Sequence, residues 1–446
     1  MSRCLLLFFL TATLCTCKVK KINTLVINED MVPCLWASMT LYVTKTTQGN
    51  TPTYASRALG YIGLTMYESI VNGYPNYASM QNQLNGLTNI EKPATGKKYN
   101  WTIVLNAGQA HILKNIYAHT SDENKKKIDS LENEILQQLT NKNENDEIIN
   151  LSVKYGRSIA NSIFEWSKTD GGHRAYLKNF DKSFIYPSDD GMWKPPLYGQ
   201  SFSRFPLHPK WGNNRTFLKE NTTVKYTLPK KYSRDTSSLY YQEFNAVYLK
   251  NKILTQEEKN IALWWHDDPA ETYSPPGHSY NLASIAIKKV APGIMQMVET
   301  YAKTGIAVAD AFIMCWKMKY TYFSERPSTY IIANIDEEWQ PFWPDPPFPA
   351  FPSGHATQAA AVAEILTGIY GDNFSFIDST HFGRPKDEIR NVSFEPRKYK
   401  SFWHVAEETA ASRFFGGIHT NQDNITGLEI GKKIGENINA LKWKLK

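Results

Sequence analysis

The sequence is poor in cysteine, with five in 446 residues, and three of those fall within the first 17 positions. Only Cys34 and Cys315 remain, too few for a disulfide framework, and no C-x-x-C pair offers a zinc site. Stability must come from packing. A membrane-spanning run is also missing, since the one apolar candidate, residues 5–14, falls well short of the roughly 20 that a spanning helix needs. No charge of one sign dominates: 50 basic and 43 acidic residues leave +7 spread along the chain, which gives no basic arm for nucleic acid. G-x-x-x-x-G-K, G-x-G-x-x-G before a strand and H-E-x-x-H are absent, which removes the common nucleotide and zinc-protease signatures. With 42% hydrophobic and 13% aromatic residues, the chain has material for one large core or two ordinary ones.

Arg3, the apolar stretch 4–14 and the small-residue end Thr16-Cys17 have the make-up of a secretory signal peptide over residues 1–17. Leu14-Cys15-Thr16-Cys17 also resembles a bacterial lipoprotein cleavage box, which would place a lipid anchor on Cys17 as the sole membrane contact. The expectation is an exported protein, periplasmic, attached to the outer membrane as a lipoprotein, or secreted.

Apolar residues at three-and-four spacing predict helices over 54–70, 103–117, 125–139, 148–166, 256–265, 281–302, 306–323, 356–370, 404–415 and 421–441. No alternating strand series and no internal repeat occur. Residues 171–231, rich in Pro, Gly, Trp and Tyr, read as a long ordered loop or lid, because aromatics need burial. The fold class is all-α, packed helical bundles, with an N-terminal helical region over 18–255 and a second, site-bearing region over 256–446.

Three clusters in the last third carry chemistry. Lys319 and Arg326, followed by Pro327, are seven residues apart, about 700° on a continuous helix, so both cations would share one face and could grip an oxyanion. Phe348-Pro349-Ala350-Phe351-Pro352-Ser353-Gly354-His355 leads into an Ala-rich helix, so Ser353 and Gly354 stand where backbone N–H groups and the helix dipole favour an anion. His355 there is the group able to exchange a proton near neutral pH. In Ser412-Arg413-Phe414-Phe415-Gly416-Gly417-Ile418-His419, the glycine pair would end one helix and start another, turning His419 back toward the pocket that Arg413 faces. Each cluster alone has a plain structural reading. Together, one Lys, two Arg, a helix N-terminus, a hydroxyl and two His make a site for a tetrahedral oxyanion, phosphate or vanadate.

At these residues the sequence resembles the vanadium-dependent haloperoxidases and the type-2 phosphatidic acid phosphatases that share their site, and is nearest to the bacterial haloperoxidases. The matching motifs are Lys319-x6-Arg326-Pro327, Pro352-Ser353-Gly354-His355 and Ser412-Arg413-x5-His419, in the family's order over roughly the last 130 residues. The resemblance implies that Lys319, Arg326, Ser353, Gly354 and Arg413 hold the oxyanion, that His419 is the axial ligand of vanadium, and that His355 is the acid-base residue. It implies vanadate as cofactor, with phosphate able to occupy the same site, and hydrogen peroxide and a halide as substrates, with an organic acceptor as a further candidate. Lys319 would make bound peroxide electrophilic, and hypohalous acid would leave. Phe348 and Trp316 match aromatics of the family's halide pocket, and iodide or bromide is the favoured halide. Within Trp264-Trp265-His266-Asp267-Asp268, Asp267 is the expected partner of an active-site Arg, with Asp268 its rival; His278 recurs in bacterial relatives and is given no role. Two other readings stay open: a secreted acid or lipid phosphatase using a phospho-His419 intermediate, and a non-catalytic phosphate binder.

Overall fold

The computed structural model describes residues 27–140, 145–195, 199 and 203–445; the leader expected over 1–17, with Cys17, lies outside them. Among the described residues, the N-terminal helices are α1 (Val32–Thr46), α2 (Pro52–Val71), α3 (Trp101–Ile116), α4 (Asp122–Thr140) and α5 (Asp146–Ser167). After the long loop come α6 (Leu239–Asn251), α7 (Gln256–Trp264), α8 (Ser274–Val290), α9 (Ile294–Tyr322), α10 (Pro327–Asn334) and α11 (Gly354–Tyr370). A two-stranded antiparallel ribbon, β1 (Phe376–Asp378) with β2 (Arg397–Tyr399), pairs Phe376 with Tyr399 and precedes α12 (Phe402–Phe415) and α13 (Asn421–Asn439). The all-α expectation holds, and no described helix is long and apolar enough to cross a membrane.

Starts of these helices are written into the sequence. Thr51 caps α2 with Pro52 at its first position, Thr255 and Glu258 form a capping box on α7, and Thr420 and Asp423 form another on α13. The helix predicted over 281–302 is in fact two. Ala291 turns into the left-handed region at φ +50 and Pro292 cannot continue a helix, so α8 ends there. α9 then runs unbroken through the gap expected at 303–305. Gly305 is tolerated within it because α2 packs so close that a Cβ would lie 2.3 Å from the Leu59 carbonyl oxygen.

α9 is the axis of the molecule, buried along most of its length from Met295 to Lys319. Side chains such as Ile306, Val308 and Met314 are each worth roughly 1.5–3 kcal/mol by burial. Helices on both sides of residue 255 contribute to one continuous core around it. A smaller cluster joins Phe244 and Val247 of α6 to Tyr330 and Ile331 of α10. Those two helices, like α1, escape the periodicity reading: α6 buries only two residues and α10 is one of two turns. The ribbon escapes it because each strand has three residues.

The packing of α13 on α11 sets the site. Gly427, Gly431 and Gly435 form a stripe facing α11, and a Cβ on Gly431 would lie 2.1 Å from the Thr357 carbonyl oxygen. The two helices therefore meet backbone to backbone, which brings the N-terminus of each to the same place.

Candidate active site

Both N-termini open on a cavity of about 360 Å³ lined by Gly354, His355, Arg413 and His419 at one end and by Trp316, Phe312, Phe348 and Ile418 alongside. Phe180 and Leu207, from the long loop, also line it, so the loop closes over this cavity as a lid. Leu207 is fixed there because its carbonyl accepts from Trp316 Nε1 at 3.2 Å and from the Tyr320 hydroxyl at 2.8 Å.

His419 is held by both ring nitrogens. Nδ1 lies 3.0 Å from Asp423 Oδ2, and Nε2 lies 3.0 Å from Arg326 Nη1. A guanidinium can only donate, so Nε2 carries the lone pair and Nδ1–H donates to Asp423. Asp423 is in turn held by the Thr420 backbone N–H at 3.1 Å. The capping box that starts α13 thus also fixes the tautomer that aims a lone pair at Nε2. Gly417, at φ +76, makes the turn expected of the glycine pair.

Ser353 is the N-cap of α11: its Oγ accepts from Ala356 N, and its own N–H donates to the Asp423 carbonyl at 3.0 Å. The first-turn N–H groups of Gly354 and His355 have no intrahelical partner by geometry, and both residues line the cavity. His355 Nε2 and Arg413 Nε are buried without a hydrogen-bond partner. Such atoms are costly unless something polar meets them, and a tetrahedral anion does. Burial brings the Arg413 guanidinium down to about 10, with Arg326 adding to the effect.

Lys319 and Arg326 depart from the expected arrangement. They are not on one helix, since Phe323 takes a left-handed φ of +52, α9 stops, and Arg326 becomes the N-cap of α10. Neither they nor Ser353 line the cavity. Lys319 Nζ donates to the carbonyls of Pro349, Ala350 and Pro352 at 2.8, 2.7 and 2.7 Å, while Arg326 reaches those of Phe348, Pro349 and Ile418. The two cations hold the Phe348–Pro352 loop from behind, against mutual repulsion. Burial, with Arg326 adding to it, lowers Lys319 to about 7, yet three carbonyls call for all three protons of the ammonium.

Trp316 and Phe348 form one aromatic wall, ring centroids 4.9 Å apart, with Lys319 Nζ 5.2 Å from the Phe348 centroid. Asp267 corrects the sequence reading. Its carboxylate is engaged not by an Arg but by His278 Nδ1 and His381 Nε2, each at 2.8 Å, because the backbone at Asp267 is left-handed, φ +51, and turns the side chain inward. Arg413 instead donates to the Trp265 carbonyl at 3.2 Å. Sequence reasoning also missed Asp423, although Thr420-x-x-Asp423 is a legible capping signature four residues from His419.

Burial first, and Arg413 next, hold His355 well below its ordinary 6.5; burial and Arg326 do the same to His419. Both are neutral at pH 7. In the anion-free protein, His355 is expected to stay neutral as the pH falls through 6.5, followed by imidazole ¹⁵N NMR. The folded state resists protonation more than the unfolded chain, so stability is fullest above 6.5 and erodes as the pH falls below it. A midpoint at or above 6.5 would contradict this.

A family model described as the VCPO second helical-bundle domain matches residues 299–444. Vanadium chloroperoxidase of Curvularia inaequalis is 26% identical over 174 aligned positions, which span 29% of this chain and only 28% of that relative. A crystal structure of a bacterial vanadium-dependent iodoperoxidase superposes with TM-score 0.78 at 29% identity, covering 92% of this chain and 97% of that one. Apo and holo structures of a bacterial vanadium-dependent chloroperoxidase superpose at 0.65 and 0.63 with 12% identity, covering 87% and 93% of this chain and 92% of each of theirs, a likeness of fold.

Proposed function

Because this chain belongs to the vanadium haloperoxidase family, we propose that it is a vanadate-dependent haloperoxidase that oxidises iodide, and bromide less readily, with hydrogen peroxide. The observation that carries the reading is that His419, whose Nε2 meets Arg326 Nη1, the unpartnered Arg413 Nε and His355 Nε2, and an aromatic wall all belong to residues lining one cavity. These residues fit the cofactor. His419 Nε2 would be its protein ligand, Arg413 and the N–H groups of Gly354 and His355 would neutralise its oxygens, and Lys319, Arg326 and Ser353 would back the cradle. Vanadate, when bound, supplies a Lewis-acidic vanadium(V) centre that makes peroxide a two-electron oxidant without changing its own oxidation state.

The chain's own residues do the rest. Neutral His355 takes a proton from hydrogen peroxide at Nε2 and later returns it. Trp316 and Phe348 offer a large, weakly hydrated halide an apolar face with the Lys319 ammonium behind it, which suits iodide over smaller, better hydrated halides. The peroxide O–O bond breaks, the halide loses two electrons and leaves as hypohalous acid, and the other oxygen leaves as water with uptake of one proton. The iodoperoxidase resemblance supports the order of halides.

The test is triiodide formation by the purified chain with peroxide, before and after loading with orthovanadate, with bromide run in parallel. Oxidation is expected only after loading, iodide ahead of bromide. A folded, vanadate-binding protein that oxidises neither halide would overturn the proposal, and phosphate-ester hydrolysis would then be the activity to assay.

A further inference from the structure

Reaching back from the cavity wall, where Asp267 stands, is a second cluster that the halide chemistry does not use. Asp267 follows α7, His278 is in the first turns of α8, and Asp378 and His381 come from the end of β1 and the turn after it. All four are buried, with relative exposures of 1%, 0%, 0% and 2%. His278 is gripped by two carboxylates, Nδ1 at 2.8 Å from Asp267 Oδ2 and Nε2 at 2.8 Å from Asp378 Oδ2. Asp378 is fixed by the Thr380 backbone N–H and hydroxyl at 2.9 and 2.5 Å. His381 Nε2 stands 2.8 Å from Asp267 Oδ1, yet both atoms lack a partner in hydrogen-bonding geometry.

Charge leads the same way. Two buried carboxylates and two imidazoles carry a net negative charge if only one imidazole is protonated, and a dication would bring the cluster to neutrality with both imidazoles neutral. One atom from each of Asp267, His278 and His381 falls within 4.8 Å of the others. The donor set, two imidazoles and a carboxylate, suits a borderline divalent ion, and Asp378 would hold His278 from its far nitrogen as carboxylates hold metal-bound histidines. Trp265 stacks on His278 at 4.5 Å and Trp264 lies edge-on to His381 at 5.0 Å, so both imidazoles are packed against indole rings.

We infer that Asp267, His278 and His381 form a three-ligand structural site for a divalent first-row cation of the zinc type, its fourth position left to a water, which ties the Trp264–Asp268 segment to α8 and the ribbon. That segment supplies His266, Asp267 and Asp268 to the cavity wall, so the ion would brace one side of the halide site without touching its reactants.

The test uses the full, tag-free chain, purified without chelator or vanadate, so it is independent of the haloperoxidase reading. Elemental mass spectrometry is expected to find about one zinc-type ion per chain. Stripping with a strong chelator should lower Tm, and zinc chloride should restore it. Cobalt(II) added to the stripped protein should give a visible d–d band that His381→Gln lacks, with metal content in that variant below about one-tenth per chain. A wild-type protein with no metal, and a Tm that zinc leaves unmoved, would overturn the site and leave a proton on His278 as its only cation. That result decides the matter even where the variant fails to fold.

Discussion

Peroxide-dependent iodide oxidation is expected to fall by about 10³-fold or more in His419→Ala, with the far-UV spectrum unchanged. His419 Nε2 carries a lone pair at this end of the cavity, its tautomer fixed by the hold of Asp423 on Nδ1–H. Arg413, Arg326 and the helix N-terminus can attract an anion, but none of them can donate an electron pair to vanadium. The variant should therefore still concentrate phosphate or vanadate weakly while losing turnover. Equilibrium dialysis with vanadate beside the triiodide assay separates the two effects. Asp423→Asn, which keeps the shape but weakens the hold on Nδ1–H, is expected to lose about 10- to 100-fold. Full activity in His419→Ala would remove the proposed ligand from the mechanism.

Lys319→Met is expected to cost about 3 kcal/mol of stability, read as a lower midpoint in urea. Its three N–H groups meet three buried carbonyls of the Phe348–Pro352 loop, and methionine would remove all three bonds, leaving only Arg326 as a side-chain donor to Pro349 and the Cys315 thiol to Pro352. Iodide oxidation should fall as well, since the same loop carries Phe348 and delivers Ser353 to the start of α11. A Lys319 that acted only on substrate would lower turnover and leave the urea midpoint in place. The geometry therefore shifts the weight of this residue from direct contact toward holding the loop. Retained stability with lost activity would restore the direct role.

The three motifs were legible because each is local: a cap, a glycine turn and a cation pair can be recognised within eight residues. What was not legible depends on how the chain turns between them. Counting 700° from Lys319 to Arg326 fails because Phe323 leaves the helix, although both side chains still reach the Pro349 carbonyl. Asp267 sits in the right segment, yet its partners, His278 and His381, lie 11 and 114 residues onward, and only the left-handed backbone at Asp267 aims it at them. The long loop was recognised by its aromatics, but nothing in its composition says that Phe180 and Leu207 would roof the cavity. Pairings over such distances belong to topology.

The glycine stripe of α13 also bears on how this protein can change. Because α11 and α13 meet through main-chain atoms, the spacing between Ser353 and His419 does not depend on the length of any side chain in the joint. The opposite wall, built from Phe180, Leu207, Phe312 and Phe348, is carried by other segments. Substrate preference can therefore drift, or be diversified in a library, by residue exchange on that wall while the anion cradle keeps its dimensions. The stripe divides the cavity into a part that inheritance must conserve and a part that selection is free to reshape.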